Sequence, residues 1–263
     1  MNIGVFDSGL GGLLILKAIA KALPLYDYVY YADTANLPYG DKTEEEIYIL
    51  TKTAIEELFK RDCVLVIVAC NTASAETLRR IQDTFLREEY PDRKILGVII
   101  PTIEEVVERG ISRALLVATK RTVDSCKYEK ELTKLVDSHV ELVSVATPDL
   151  VPLIEAHQIE EAAEEAINVI ESKTREGDAV LLGCTHYILL KDSLRSHFGD
   201  SRTFIAQDEV IPKKLTDYLT RHPEITSRLA SAGKRSIYLT EHRPDYDRLT
   251  ADFLGGAYIR DDE

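Results

Sequence analysis

Two cysteines sit where a strand must end. Cys70 closes the apolar run Val64–Ala69 and is followed by Asn71-Thr72-Ala73; Cys184 closes Ala179–Gly183 and is followed by Thr185-His186-Tyr187. Each run reads as a parallel strand buried on both faces, delivering its thiol to the strand's carboxyl end. A single cysteine is usually a small buried hydrophobe, and Cys63 and Cys126 are given that role. Cys70 alone leaves the core and catalytic readings even. The matching Cys184, also followed by a threonine, turns the balance toward catalysis.

A hydrolase of the Cys-His-Asp kind needs one thiol and one base, so a second thiol would be idle. A metal site needs further ligands, and no Cys-x-x-Cys spacing is present. His139, His157, His197, His222 and His242 have no partners at metal spacing and read as surface residues. Inversion at a carbon stereocentre, by contrast, needs one acid/base on each face. One thiolate removes the proton while the opposite thiol returns another, and the roles swap in reverse. A helix start directly after each cysteine is expected to favour the thiolate. A carboxylate beside a thiol opposes that, so Asp7 reads as a proton partner, or simply as a helix cap. His186, beside a strand-end cysteine, reads as a group that tunes or exchanges a proton.

These residues need a scaffold that gathers strand ends. In open α/β sheets, ligands bind outside the carboxyl ends of strands. Five such ends carry polar residues: Asp7-Ser8, the 33–40 loop, Cys70-Asn71-Thr72, Thr119–Thr122 and Cys184-Thr185-His186. Strands are predicted at Asn2–Phe6, Tyr28–Ala32, the Cys70 run, Lys94–Ile99, Arg113–Ala118, Glu141–Val145, the Cys184 run and Ser236–Thr240. Helices are predicted over Leu13–Leu23, Glu44–Lys60 with Thr43 as N-cap, Asn71–Glu88, Ile103–Arg109, Val123–Val136, Pro148–Thr174, Ile188–Phe198, Glu209–Arg221 and Pro244–Leu254. Thr72 and Thr185 are also candidate N-caps. The β-α alternation predicts parallel sheets covered by helices on both faces.

The pattern repeats. Asp7 and Thr119, each closing a strand, are 112 positions apart, and Cys70 and Cys184 are 114 apart. A duplicated βα unit follows, with two three-layer α/β/α domains related by a pseudo-twofold axis and an active site in the cleft between them. Residues 1–98 with 208–263 form the first domain, carrying Asp7 and Cys70. Residues 99–207 form the second, carrying Cys184 and His186.

Composition narrows the partners. A net charge of −13 argues against non-specific nucleic-acid binding, though local donors on an acidic body can still hold a small anion. No apolar run approaches the roughly 20 residues of a membrane span, and the start lacks the pattern of a signal peptide. A cytoplasmic location is expected. The Asp7–Gly12 loop lacks the spacing of a Walker or dinucleotide loop. Its glycines read as letting the backbone approach a small ligand. Lys120 is the one lysine at these strand ends, so neither a pyridoxal phosphate Schiff base nor a metal is expected.

The motifs Asp7-Ser8-Gly9-Leu10-Gly11-Gly12, Ala32-Asp33 with Pro38-Tyr39-Gly40, Cys70-Asn71-Thr72-Ala73 and Gly183-Cys184-Thr185-His186-Tyr187 occur in the order seen in glutamate racemases. The sequence resembles that family over essentially its whole length, through Phe253-Leu254-Gly255. The resemblance implies a cofactor-independent racemase supplying D-glutamate for bacterial peptidoglycan, often as a homodimer. It implies that Cys70 acts on D-glutamate and Cys184 on L-glutamate, assisted by Asp7 and His186 respectively, with Glu155 near the second thiol. It assigns substrate binding to Asp7, Ser8, Pro38, Tyr39, Gly40, Asn71, Thr72, Thr119, Thr122, Thr185 and His186. Thr147, Arg121 and Glu241 depart from the family's usual residues. A racemase of aspartate or another amino acid, a two-lobed ligand sensor and a cysteine amidohydrolase are the alternatives.

Overall fold

The apolar runs become the centres of two sheets. In the computed structural model, which describes residues 1–135, 139–243, 246, 250 and 259–260, Cys63–Val68 (β3) is buried at every position. It pairs in parallel with β1 (Asn2–Asp7) on one side and β4 (Lys94–Gly97) on the other. β1 also pairs with β2 (Tyr28–Ala32), which pairs with β9 (Arg235–Leu239), and β10 (Ile259–Arg260) lies beyond. The order is β10-β9-β2-β1-β3-β4. The second sheet runs β6 (Glu141–Ala146), β5 (Arg113–Ala118), β7 (Ala179–Gly183), β8 (Thr203–Ile205), again all parallel. Both sheets are thus parallel and flanked by helices, and apolar clusters lie on both faces of each. Among the described residues no helix is long and apolar enough to cross a membrane.

The helix Glu44–Lys60 shows how local rules are met. Thr43 accepts from the Glu46 amide, and the Glu46 carboxylate accepts from the Thr43 amide, a reciprocal capping box. Three glutamates occupy the first turn, where the positive end of the helix dipole favours them.

Several predicted elements are cut shorter. The expected strand to Ile99 ends at Gly97, and a helix spans Ile99–Glu108. Pro101 sits in that helix's first turn, where its missing N–H has no partner to lose. The helix expected over Asn71–Glu88 breaks at Thr77, whose φ of −125° leaves the helical region. The helix expected from Val123 is two short helices, Lys120–Asp124 and Lys127–Leu132, parted at Cys126 in a left-handed conformation (φ 51°). At that break the Cys126 side chain is exposed, which corrects its reading as a buried hydrophobe; Cys63 is buried as expected. The Pro148–Thr174 helix is likewise two, Leu150–Glu155 and Ile159–Lys173, parted at His157 (φ 60°). The region expected to start a helix at Ile188 is a 3₁₀ turn over Thr185–Leu190 before the helix Lys191–Phe198. The expected helix Pro244–Leu254 and the Phe253-Leu254-Gly255 motif lie outside the described residues, apart from isolated positions.

Candidate active site

The first thiol is placed by strand pairing. β1 and β3 run side by side with Phe6 opposite Val68, and Ala69 donates its amide to the Phe6 carbonyl at 2.8 Å. Asp7-Ser8 and Cys70 therefore emerge together. Ser8 Oγ lies 3.5 Å from Cys70 Sγ. Cys70 is itself the N-cap of the helix Asn71–Glu76, with Sγ accepting from the Ala73 amide at 3.5 Å. Thr72, a candidate cap, is free of that task. Its hydroxyl meets those of Thr119 (3.0 Å) and Thr122 (3.4 Å), from the second sheet's side. The helix start expected to favour the Cys70 thiolate is present, but burial overrides it. Burial, and then the Asp7 carboxylate, push the thiol up to about 12, against the pull of the Ser8 and Ala73 bonds.

The second thiol has different company. Cys184 follows β7 and precedes the 3₁₀ turn, so no α-helix starts directly after it. Its Sγ lies 3.8 Å from His186 Nδ1, and His186 Nε2 lies 3.3 Å from Glu155 Oε1. The break at His157 ends the Leu150–Glu155 helix just after Glu155, leaving that carboxylate beside the imidazole. Burial opposes the imidazolium, but the contacts to Cys184 and Glu155 outweigh it and hold His186 at about 10. A charged His186 is an electrostatic partner for a thiolate at Cys184.

Asp7 joins the two sides. Its Oδ2 accepts from the Gly12 amide at 2.8 Å, so the capping role weighed for it is real. The same oxygen accepts from the Thr185 hydroxyl at 3.3 Å, across from the other sheet. Among the described residues its buried Oδ1 has no hydrogen-bond partner. Burial raises the Asp7 carboxyl, opposed by the charge of His186 and by bonds from Gly12, Ser8 and Thr185. Gly11 has a further reason to lack a side chain. A Cβ on Gly11 would stand 2.6 Å from Thr185 Oγ1 and 3.0 Å from the His186 amide nitrogen. At this position the loop is bare where it meets the opposite half of the molecule.

The third segment is less direct. Tyr39 is buried in the same apolar cluster as Cys70, while Pro38 is exposed and Gly40 half-buried. The Tyr39 hydroxyl donates to Asp33 Oδ2 at 2.7 Å, so its proton is already committed and only its oxygen can serve a ligand. Asp33 Oδ1 accepts from Asn36 and Thr240, which fixes the loop. The departures from the family pattern also have contacts. Thr147 Oγ1 is 2.8 Å from the Tyr187 hydroxyl and bonds the Ala118 carbonyl. Arg121 pairs with Glu76 at 3.2 Å. Glu241 engages Thr34 through its backbone. Lys120 is exposed and paired with Asp124.

Gln207 and Tyr128 are not among the residues the sequence points to, yet both bond Asn71. Gln207 follows the apolar strand β8 closely and so obeys the strand-end rule; Tyr128 carries no such signal. A separate cavity of about 250 Å³ is lined by Leu78, Gly97, Ile99, Lys127, Ile211 and Lys214 among others, and neither thiol borders it.

The Asp/Glu/Hydantoin racemase family model matches residues 14–210. The chain belongs to that family. A glutamate racemase of Roseobacter denitrificans is 37% identical to this racemase over 237 residues, covering 85% of this chain and 87% of the relative. Among solved structures, a glutamate racemase from Bacillus anthracis superposes with a TM-score of 0.86 at 27% identity, covering 99% of this chain and 96% of that one. One from Francisella tularensis, in complex with D-glutamate, superposes with 0.83 at 26% identity, covering 98% and 95%.

Proposed function

We propose that this racemase interconverts L- and D-glutamate by proton transfer at Cα, with Cys184 acting on the L-enantiomer and Cys70 on the D-enantiomer. The observation that carries the reading is a pair of strand-end thiols in two different sheets, Cys70 beside the Ser8 hydroxyl and Cys184 beside the His186 imidazole. In the L-to-D direction the Cys184 thiolate takes the Cα proton, and the Cys70 thiol gives its proton to the opposite face. Cys184 is left as thiol and Cys70 as thiolate, and D-glutamate is the mirror substrate for that state. The raised Cys70 thiol suits the proton donor of the L-to-D direction, and the charged His186 lies beside the other thiol. Asp7 and His186, with Glu155 behind it, exchange the protons that reset the pair.

In this reading the substrate carboxylates take neutral donors from Ser8, Asn71, Thr72, Thr119, Thr122 and Thr185, with the Tyr39-Gly40 segment closing one side. The lobes are 1–98 with 208–263, and 99–207. No cofactor takes part, because the two thiols supply both proton transfers. The enzyme works in the cytoplasm as a homodimer, acts on neither nucleic acid nor membrane, and its D-glutamate feeds peptidoglycan synthesis. Sedimentation tests the dimer, and rescue of a D-glutamate auxotroph tests the supply role.

The deciding experiment is racemisation in deuterated water, followed as inversion of each enantiomer, with Cys70→Ser and Cys184→Ser. Enantiomers have equal energy, so kcat/KM must be equal in the two directions for every variant. Each substitution should therefore lower both directions alike, by a factor of at least about 100, the lower end for losing an acid/base group. Normal turnover in either variant sinks the mechanism. Faster turnover of aspartate than of glutamate would move the substrate, and glutamate binding without exchange would favour a sensor.

A further inference from the structure

Asn71 is held by a buried polar cluster that the mechanism above leaves unused. Its Nδ2 donates to Gln207 Oε1 at 2.8 Å, and Gln207 Nε2 donates back to Asn71 Oδ1 at 2.8 Å. The Tyr128 hydroxyl donates to the same Oδ1 at 2.8 Å. Gln207 Nε2 also reaches the Tyr128 oxygen at 3.3 Å and Thr102 Oγ1 at 3.5 Å. Gln207 and Tyr128 have no exposed surface, and Asn71 is 3% exposed.

The members come from four places. Asn71 follows β3 of the first sheet, and Thr102 is in the helix after β4. Tyr128 is in a helix after β5 of the second sheet, and Gln207 opens the helix after β8. The cluster thus sits where the chain crosses between the sheets.

A primary amide has two N–H donors and one oxygen with two lone pairs. Gln207 and Tyr128 fill both lone pairs of Asn71 Oδ1, and Gln207 takes one N–H. One N–H of Asn71 remains, on a residue between Cys70 and Thr72. The sense of the lock is set by Thr102. Its hydroxyl proton goes to the Val98 carbonyl at 2.7 Å, so toward Gln207 it can only accept. That selects the nitrogen end of Gln207 there, and the reciprocal pair passes the selection to Asn71. An unlocked amide could turn its oxygen toward an anion and repel it.

We propose that Gln207 is a positioning residue: through Thr102 and Tyr128 it holds the Asn71 amide so that an N–H, and not the oxygen, is left for a substrate carboxylate. This rests on the reading of Asn71 as a substrate contact. The test is steady-state kinetics of Gln207→Met, Asn71→Ala and the double variant, in both directions. Gln207→Met keeps the side-chain length and removes the lock. It should raise KM about tenfold for both enantiomers, roughly the worth of one hydrogen bond to a charged group, and change kcat less. In the Asn71→Ala background it should add less than about twofold, because the two act as one unit. A purely structural role would multiply the two losses instead, and that result, or an unchanged KM in Gln207→Met, overturns the proposal. An unchanged KM in Asn71→Ala overturns the substrate contact itself and the lock with it. If Gln207→Met does not fold, Tyr128→Phe removes one bond to Oδ1. It should raise KM in the wild-type background and not in Asn71→Ala; any other pattern refutes the lock.

Discussion

Ser8→Ala isolates one of the forces on Cys70. The Ser8 hydroxyl at 3.5 Å is among the three bonds that pull the thiol down from the level set by burial and Asp7. The Ala73 amide bond and the Ser8 backbone contribution remain after the substitution. A hydrogen bond to a charged group contributes about 1.5–3 kcal/mol, or roughly 1–2 pKa units. At neutral pH, far below the thiol's value, the thiolate fraction then falls roughly 10- to 150-fold. A more basic thiolate is also a better nucleophile, with a Brønsted slope of about 0.4–0.5, which offsets close to half of the logarithmic loss. Alkylation of Cys70 by iodoacetamide should therefore slow about 4- to 15-fold. The assay is mass spectrometry of the Cys70 peptide in the substrate-free protein, with exposed Cys126 as the internal reference. Removing an oxygen opens access to the thiol slightly and would speed the reaction. An unchanged or faster Cys70 rate, relative to Cys126, refutes the account of how this thiol is tuned.

Three further outcomes follow from the same contacts. Gly11→Ala should lose about 1–3 kcal/mol of stability in urea melts, the usual cost of overpacking a buried site, and lose most of its turnover, because the new Cβ pushes on Thr185 and His186; unchanged stability with full activity would contradict the close approach. His186 is raised to about 10 from an ordinary value of about 6.5, so its stabilising effect is full below pH ~6.5 and lost as pH rises through about 10. The stability gap between wild type and His186→Asn, from urea melts, should therefore close across that range, and a constant gap would contradict it. The Asp7 carboxyl is raised by burial, so its ionisation costs stability as pH climbs above its ordinary value of about 3.9. Asp7→Asn should gain stability relative to wild type between pH 4 and 8 while losing turnover, and a relative loss of stability over that range would refute the sign.

The parts legible in the sequence are those with one dominant cause. β3 and β7 are buried on both faces, and an unbroken apolar run of that length between turn residues has little else it can become. Thr43 with Glu46 announces its own cap. Both thiols stand out because strand ends collect ligands. What stays hidden is set by contacts distant in sequence. Cys126 reads as core because nothing local marks the left-handed break that turns it outward. The two thiols look equivalent in the sequence, but Cys70 lies beside a buried carboxylate and Cys184 beside an imidazole. Nothing local at Gly11 announces its close approach to Thr185, 174 positions away. Gln207 and Tyr128 reach Asn71 only once the chain has crossed into the second sheet.

The place of β9 beside β2 governs how the molecule is born. β1 to β4 can pair once the chain has passed Gly97, and the second sheet is complete by Ile205. The outer edge of β2 has no neighbour until Arg235–Leu239 emerges, about 200 residues after Tyr28–Ala32. At roughly 5–20 residues per second, that edge stays bare on the ribosome for about 10–40 s. It carries Tyr28, Tyr30 and Tyr31, all buried in the finished fold, and a bare aromatic edge is a template for pairing with the wrong chain. The sheet begun first is finished after the other, so a chain stopped short of Arg235 keeps that aromatic edge open.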